Sequence, residues 1–293
     1  MASKEAELFE RECELWDPYV LYSLAVQDPV SPTIGLMKRI YRRLRGRQPR
    51  ILREDFCGTA LFSCEWIRQH GANRAIGIDI DPAPLAWARE HYLPQLSEEQ
   101  RTRLDLRAQD VREPVDDDRP DFVCAFNFSF MLFTTRLELM RYFASVRRTM
   151  APDGLFFVDL FGGSEAQGEV EESTDIAVSA EDVDSPLLGH LLDDRTARFT
   201  YWWHQAWFNP VTHHMGCKIH FEFPDDSRRD DAFTYEWRLW TIPEIRELLT
   251  EAGFSSSEVH WQEHDEEGEF LGYKQTDVIA DDPAWIVTIA AIP

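Results

Sequence analysis

The sequence predicts an α/β protein: a seven-stranded, mostly parallel sheet with helices on both faces, preceded by N-terminal helices and interrupted by an antiparallel β-meander. Three observations predict it. From residue 51 to residue 161, apolar runs of strand length alternate with stretches of helical periodicity, the pattern of a parallel sheet with crossover helices. Four of the first five runs are apolar nearly throughout, as strands buried on both faces are. Between about 195 and 240 the alternation gives way to three aromatic, β-rich segments joined by the turn-forming stretches NPVT and PDDS.

The elements follow in order. Residues 5 to 26 have apolar positions at helical spacing, and Pro29 and Pro32 end that helix. A second helix spans about 33 to 46 and stops at Gly46. RILRED is a short strand, TALFSCEWIRQHG a helix closed by Gly71, and RAIGIDI the second strand. Asp81-Pro82 supplies N-cap and first-turn chemistry for another helix. TRLDLRAQD is a third strand, mixed in character and so placed toward an edge, and PDFVCAFNFSF is a fourth. RLELMRYFASVRRTM is a helix, APDG a turn and LFFVDLF the fifth strand. GGSEAQGEVEESTD, polar and acidic, is expected to be a loop. After the meander, IPEIRELLTEAGF is a helix, and SSEVHWQ and AWIVTIAAI are the last two strands, joined by an acidic loop around HDEEGEF. The expected organisation is a helical cap over 1–48, the α/β domain over 49–162 and 236–293, and an inserted β-rich lid over 163–235.

Composition narrows the function. The 293 residues are 44% hydrophobic, enough for a full core. Thirty Lys and Arg face 53 Asp and Glu, a formal charge of −23, which repels nucleic acid and anionic lipid at long range. The basic stretch KRIYRRLRGRQPR, 38–50, reads as a solvated helix face and its exit loop. Five widely spaced cysteines without a CxxC give neither a disulfide framework nor a zinc site. The charged start MASKEAELFERECELW is unlike a secretory leader, and no apolar run reaches the roughly 20 residues of a membrane span. A cytoplasmic protein is expected, without metal, with a small-molecule partner and room for homo-oligomerisation.

In an open parallel sheet, ligands bind beyond the carboxyl ends of the strands near the switch point in strand order. EDFCGT sits at such an end and opens a helix. A dinucleotide would need GxGxxG there; this turn has only Gly58, and its Glu54 and Asp55 oppose a pyrophosphate. A ligand with a positive centre and no phosphate fits better. The stretch Glu54-Asp55-Phe56-Cys57-Gly58-Thr59-Ala60 resembles the acid-x-G-C/S-G-x-G turn of class I S-adenosylmethionine-dependent methyltransferases, with Phe56 and Ala60 in place of two glycines. The likeness covers about 50–162 and 236–293 and points to small-molecule members of the family.

The resemblance implies a Rossmann-like fold, S-adenosylmethionine as cofactor and S-adenosylhomocysteine as product. It implies that Glu54, Phe56, Cys57 and Gly58 form the cofactor turn. Asp79 takes the ribose hydroxyls, a diol that a carboxylate can accept from twice. Asp110 contacts the adenine amino group, Ile80 and Val111 are further cofactor contacts, and Asn127 and Phe128 edge the reaction centre. The segment Asn127-Phe128-Ser129-Phe130 lacks the two prolines of enzymes that methylate planar amino groups of bases or glutamine. From the N-terminal Tyr19, Tyr22 and Gln27, Tyr22 is expected to close over the cofactor. Phe130 and Trp203 are expected against the acceptor, with His204 or Tyr235 as general base; His220 and Glu222 compete for that role. An aromatic, acidic pocket in the meander favours an amine or other cation. The expected reaction is methyl transfer to a nitrogen or oxygen of a small molecule. The alternatives are a nucleic-acid or protein methyltransferase and a non-catalytic S-adenosylmethionine-binding assembly protein.

Overall fold

The computed structural model describes residues 11–25, 30–113, 119–265, 270–280 and 282–293. The chain opens with α1 (Glu12–Leu15) and α2 (Pro18–Ala25). The single helix expected over 5–26 is thus broken where Asp17 and Pro18 start a new one; its first six residues and Gln27 lie outside the described residues. In α3 (Val30–Arg45), Pro32 sits inside the first turn, where its missing N–H has no helical partner to lose.

The α/β core follows as β1 (Ile51–Asp55), α4 (Leu61–Arg68), β2 (Arg74–Asp79), α5 (Pro82–His91), α6 (Glu98–Arg101), β3 (Leu104–Ala108), β4 (Phe122–Ala125), α7 (Arg136–Thr149) and β5 (Leu155–Gly162). The inserted part is β6 (Val170–Val178), α8 (Pro186–Leu192), β7 (Ala197–Asn209), β8 (His214–Glu222) and β9 (Arg228–Arg238). The chain ends with α9 (Ile242–Glu251), β10 (Ser256–His264), β11 (Phe270–Gln275) and β12 (Trp285–Ile292). Local chemistry sets the helix starts. Asp81 accepts from Ala83 N ahead of Pro82, Thr135 accepts from Glu138 N, and Thr241 with Glu244 forms a capping box.

The main sheet runs β11-β10-β12-β5-β4-β1-β2-β3. β3, β2, β1, β4 and β5 are parallel, and β12, β10 and β11 add antiparallel on one side. β3 is at the edge, as its mixed sequence predicts. The sheet has eight strands where seven were expected, because part of the acidic loop region continues as β11 against β10. Likewise the acidic stretch read as a loop contains the first six residues of β6, the edge of a second, four-stranded antiparallel sheet, β6-β7-β8-β9. Both missed strands are edges; β6 exposes most of its residues and β11 half, and neither buries any fully, so neither carries the apolar alternation that betrays a half-buried strand.

Alternation along β4 divides the core. Phe122 and Cys124 join a cluster with Met37, Tyr41 and Trp66 of α3 and α4; Val123 and Ala125 join another with Tyr142, Phe143 and Leu248 of α7 and α9. The strand order reverses between β1 and β4, so the crevice for a ligand lies at their carboxyl ends.

Candidate cofactor and acceptor site

The turn from β1 into α4 is the first part of the site. Phe56, Gly58 and Ala60 have φ of 58°, 51° and 57°. All three are left-handed, the region in which glycine is at ease and other residues are not. The positions where the resembled family has glycine therefore keep a glycine backbone here, although two carry side chains. Packing holds Phe56 in place: its ring lies 5.8 Å from Phe133 and 5.6 Å from Tyr142. Gly77 on β2 lets the turn approach, since a Cβ there would stand 2.9 Å from Leu106 Cδ2 and 3.0 Å from Cys57 Sγ.

The two acids of the turn face opposite ways, as neighbours on a strand do. Asp55 points into the core, where Arg53 Nε lies 2.9 Å away and the Tyr142 hydroxyl donates to it at 2.8 Å. Glu54 points toward α4 and accepts from Ser63 N at 2.9 Å and Ser63 Oγ at 2.5 Å. Burial pushes the Glu54 carboxyl up to about 7.

Asp79, at the end of β2, accepts from Gly58 N at 2.8 Å and from Asp81 N at 2.9 Å. It ties the turn to the strand end. Beside it Ile80 is 69% exposed, an apolar side chain held in the open. Val111 is buried. Asp110 is engaged by Arg112, which donates to it through Nε and Nη2 at 3.0 and 2.6 Å, so its carboxylate is already paired. Tyr19 of α2 faces the same acids: burial, then Asp81, Asp17 and Asp79, push its phenol up.

The second part of the site is a cavity of about 410 Å³ between β4, β5, α2 and the inner face of the small sheet. Tyr201, Trp203 and Gln205 of β7 line it, with Tyr235 and Trp237 of β9 across from them. Trp203 and Trp237 lie 6.0 Å apart, and Tyr235 stacks on Trp237 at 4.6 Å. Alternation puts His204 on the other face. There its Nδ1 meets His220 Nε2 at 3.4 Å, and His220 Nδ1 accepts from Asp231 N at 2.9 Å. His204 is therefore not in the cavity, which corrects its expected role as base. Tyr235 is in it, hydrogen-bonded to Tyr22; burial raises both phenols, that of Tyr22 to about 12. Neither is ionised near neutral pH, which removes Tyr235 as a base while leaving it a hydrogen-bonding wall. Phe130 is fully buried, 6.2 Å from Phe143, and does not line the cavity.

Asn127 and Phe128 do line it. Both are left-handed, with φ of 55° and 57°. Asp159 of β5 holds them: its Oδ2 accepts from Asn127 N at 2.8 Å and its Oδ1 from Phe128 N at 2.9 Å. Trp285 closes the far side over Gly162, where a Cβ would stand 2.3 Å from the indole. The lining carries the carboxylates Asp159, Glu165, Glu172 and Asp282 and no Lys or Arg among the described residues. Sequence reasoning missed Asp159, Glu172, Gln205 and Trp285 as lining residues. For Asp159 there was a signal: an acid inside LFFVDLF, a strand otherwise apolar.

The first part of the site suits S-adenosylmethionine. Gly58 faces open space, with nothing within 4 Å of a Cβ built there, so a ligand can approach its backbone. Exposed Ile80 offers an apolar surface for a purine, and Glu54 and Asp79 suit a cationic ligand rather than a phosphate. Residues 55–158 match the family described as "Methyltransferase domain". No curated protein matches the chain by sequence. Among solved structures, DesVI from Streptomyces venezuelae is similar with 17% identity and a TM-score of 0.63, covering 94% of this chain and 96% of that one. CalS10, an amino pentose methyltransferase from Micromonospora echinaspora solved with S-adenosylmethionine bound, has 14% identity and a TM-score of 0.61 over 95% and 98% of the two chains. KedS8, a sugar N-methyltransferase from a Streptoalloteichus species, has 16% identity and a TM-score of 0.60 over 100% and 98%. Residues 55–158 are a methyltransferase domain, and the fold is the one shared by class I S-adenosylmethionine-dependent methyltransferases. The chain carries the catalytic domain of that class; it is an S-adenosylmethionine-dependent enzyme, and S-adenosylmethionine is its cofactor.

Proposed function

We propose that the enzyme methylates a nitrogen of a small-molecule acceptor held in the aromatic cavity. Bound S-adenosylmethionine supplies a methyl group on a positively charged sulfur, already activated for in-line displacement. The chain supplies the rest. The turn from Glu54 to Gly58 holds the methionine end, Asp79 the ribose hydroxyls, and Ile80 and Val111 the adenine, with Tyr19 and Tyr22 above. Asn127 and Phe128 bound the space between cofactor and cavity. The acceptor is aligned, and water excluded, by Trp203, Tyr235 and Trp237.

The observation that carries the reading is the lining itself: aromatic walls, four carboxylates and no Lys or Arg among the described residues. Aromatic faces and carboxylates attract an ammonium, and neither favours an anionic acceptor. The nitrogen must be neutral when it attacks, and a lining carboxylate gives its proton a first place to go. CalS10, an amino pentose methyltransferase, and KedS8, a sugar N-methyltransferase, agree with a nitrogen on a small polar body.

The test is turnover of a panel of amines and their matched alcohols with S-adenosylmethionine, followed by mass spectrometry of the product and by S-adenosylhomocysteine release. Methylated amines are expected. Methylation of the alcohols alone would overturn the nitrogen reading and leave the cofactor assignment standing.

A further inference from the structure

The first short helix is held at both ends by one distant stretch of chain. α1 has four residues, too few for a helix to stand in water by itself, and its N-cap residue Arg11 makes no side-chain cap. The caps come from β9 and the turn before it. Asp225 Oδ2 accepts from Glu12 N and Ser227 Oγ from Cys13 N, both at 3.0 Å. At the other end Arg229 Nη2 donates to the carbonyls of Cys13 and Trp16, the latter at 3.1 Å. Free N–H groups at a helix start and free carbonyls at its end are the groups a short helix cannot satisfy alone. Asp17 joins α1 to α2: its Oδ1 accepts from Tyr19 N at 2.8 Å and its Oδ2 from Trp87 Nε1 of α5 at 2.9 Å. Three positions apart on α2, Tyr19 and Tyr22 share a face. Tyr19 faces Asp79 and Asp81 at the end of β2, and Tyr22 lines the cavity with Asn127 and Phe128, beyond the end of β4. α2 thus spans the crevice at the carboxyl ends of the parallel strands. Phe233 of β9 packs on both tyrosines, 6.2 Å from Tyr19 and 4.9 Å from Tyr22.

We infer that Arg229, seconded by Ser227, is a positioning residue for the cofactor: from β9 and its leading turn the two hold α1, and through it α2, over the crevice. This rests on the reading that Tyr19 and Tyr22 lie above S-adenosylmethionine and deepens it. Neither Arg229 nor Ser227 lines the cavity; each acts through the helices it caps. A helix that covers a ligand strengthens binding only while it is in place, and the apparent Kd rises as the fraction of molecules with it in place falls. Arg229 suits the task. Its guanidinium presents donors in a fixed fork, a cation is favoured where a helix ends in free carbonyls, and hydrogen bonds from a charged group are the strong ones. Asp17 fixes the joint between the two helices, so a displaced α1 carries Tyr19 and Tyr22 with it. β9 also bears Tyr235 and Trp237 of the cavity wall, whereas Trp203 belongs to β7, apart from this grip.

The experiment is calorimetric titration of S-adenosylmethionine, with no acceptor present, into the full chain as wild type, Arg229→Met, Arg229→Lys, Ser227→Ala and the double variant Tyr19→Ala with Tyr22→Ala, the last also combined with Arg229→Met. Arg229→Met keeps the apolar stem and removes the donors; Arg229→Lys keeps the charge and a donor; Ser227→Ala removes a single cap. Arg229→Met is expected to bind roughly tenfold more weakly, Ser227→Ala about threefold, and Arg229→Lys between Arg229→Met and wild type. In the double tyrosine background Arg229→Met should cost less than about twofold further, because the groups it positions are gone. Wild-type affinity in Arg229→Met overturns the inference. So does the same loss from Arg229→Met in both backgrounds, since a general disturbance of the fold is felt with or without the tyrosines. Should Arg229→Met fail to fold, Arg229→Lys and Ser227→Ala decide, and wild-type affinity in both overturns it equally. Wild-type affinity in the double tyrosine variant is a different outcome and strikes the reading of Tyr19 and Tyr22 above the cofactor.

Discussion

Asp159 is an acid inside a strand whose neighbours are Phe156, Phe157, Val158 and Leu160, all buried, and its two oxygens each take one backbone N–H from a left-handed residue. Left-handed non-glycine residues are unfavourable by about 1–2 kcal/mol each, so the carboxylate stabilises a conformation the chain would otherwise leave. Asp159→Ala should cost about 3 kcal/mol, two charged hydrogen bonds less the burial of one acid, read by urea denaturation; an unchanged midpoint would show that the turn holds itself. Glu54 gives a pH test. Its folded pKa of about 7 lies above the ordinary 4.5, so the folded protein keeps a proton that the unfolded chain loses. That contribution is full below about pH 4.5 and is lost as pH rises through 7. Glu54→Gln imitates the protonated form. Relative to wild type it should gain about 3 kcal/mol between about pH 4 and about pH 8, and a difference that does not change with pH would refute the assignment. At this scale the sequence was partly readable. Asp79 and Glu54 stand out as acids at strand ends, but that Phe56 and Ala60 adopt glycine's backbone is visible only in φ.

At the scale of the element, alternation along β7 decides which side chains line the cavity proposed for the acceptor. Trp203 faces the cavity and His204 the opposite surface, beside His220. Trp203→Ala should lower methyl transfer at least tenfold, and His204→Ala should leave it within about twofold, since one loses a wall and the other a surface contact. Steady-state kinetics on both variants checks this, and a crippled His204→Ala would return the histidine to the mechanism. The aromatic β segments were evident from composition, yet their faces were not, because shifting a strand by one residue exchanges them all and the bulge between Gln205 and Trp207 adds a further shift. β6 and β11 escaped notice for a related reason. An edge strand such as VEESTDIAV is exposed at most positions, and its composition is that of a loop.

At the scale of the molecule, the negative charge and the site agree. The basic stretch 38–50 is occupied within the protein: Lys38 with Gln69, Arg43 with Glu258, Arg45 with the Asp153 carbonyl, and Arg47 with Asp121 and Asp153. It braces α3 against the sheet and leaves the acidic surface to set the field. The cofactor turn and its acids come from the parallel half of the main sheet. The cavity walls come chiefly from β5, the small sheet and the strands after it. On the proposed assignment, cofactor binding and acceptor choice fall to different parts of one fold, an arrangement that lets substrate vary while the scaffold stays. Calorimetric titration of S-adenosylmethionine into wild type, Asp79→Ala and Trp203→Ala tests that division most directly. Asp79→Ala should bind about 2–3 kcal/mol more weakly, the scale of charged hydrogen bonds, and Trp203→Ala should bind as wild type does. Equal affinity in Asp79→Ala, or a loss of cofactor binding in Trp203→Ala, would contradict it.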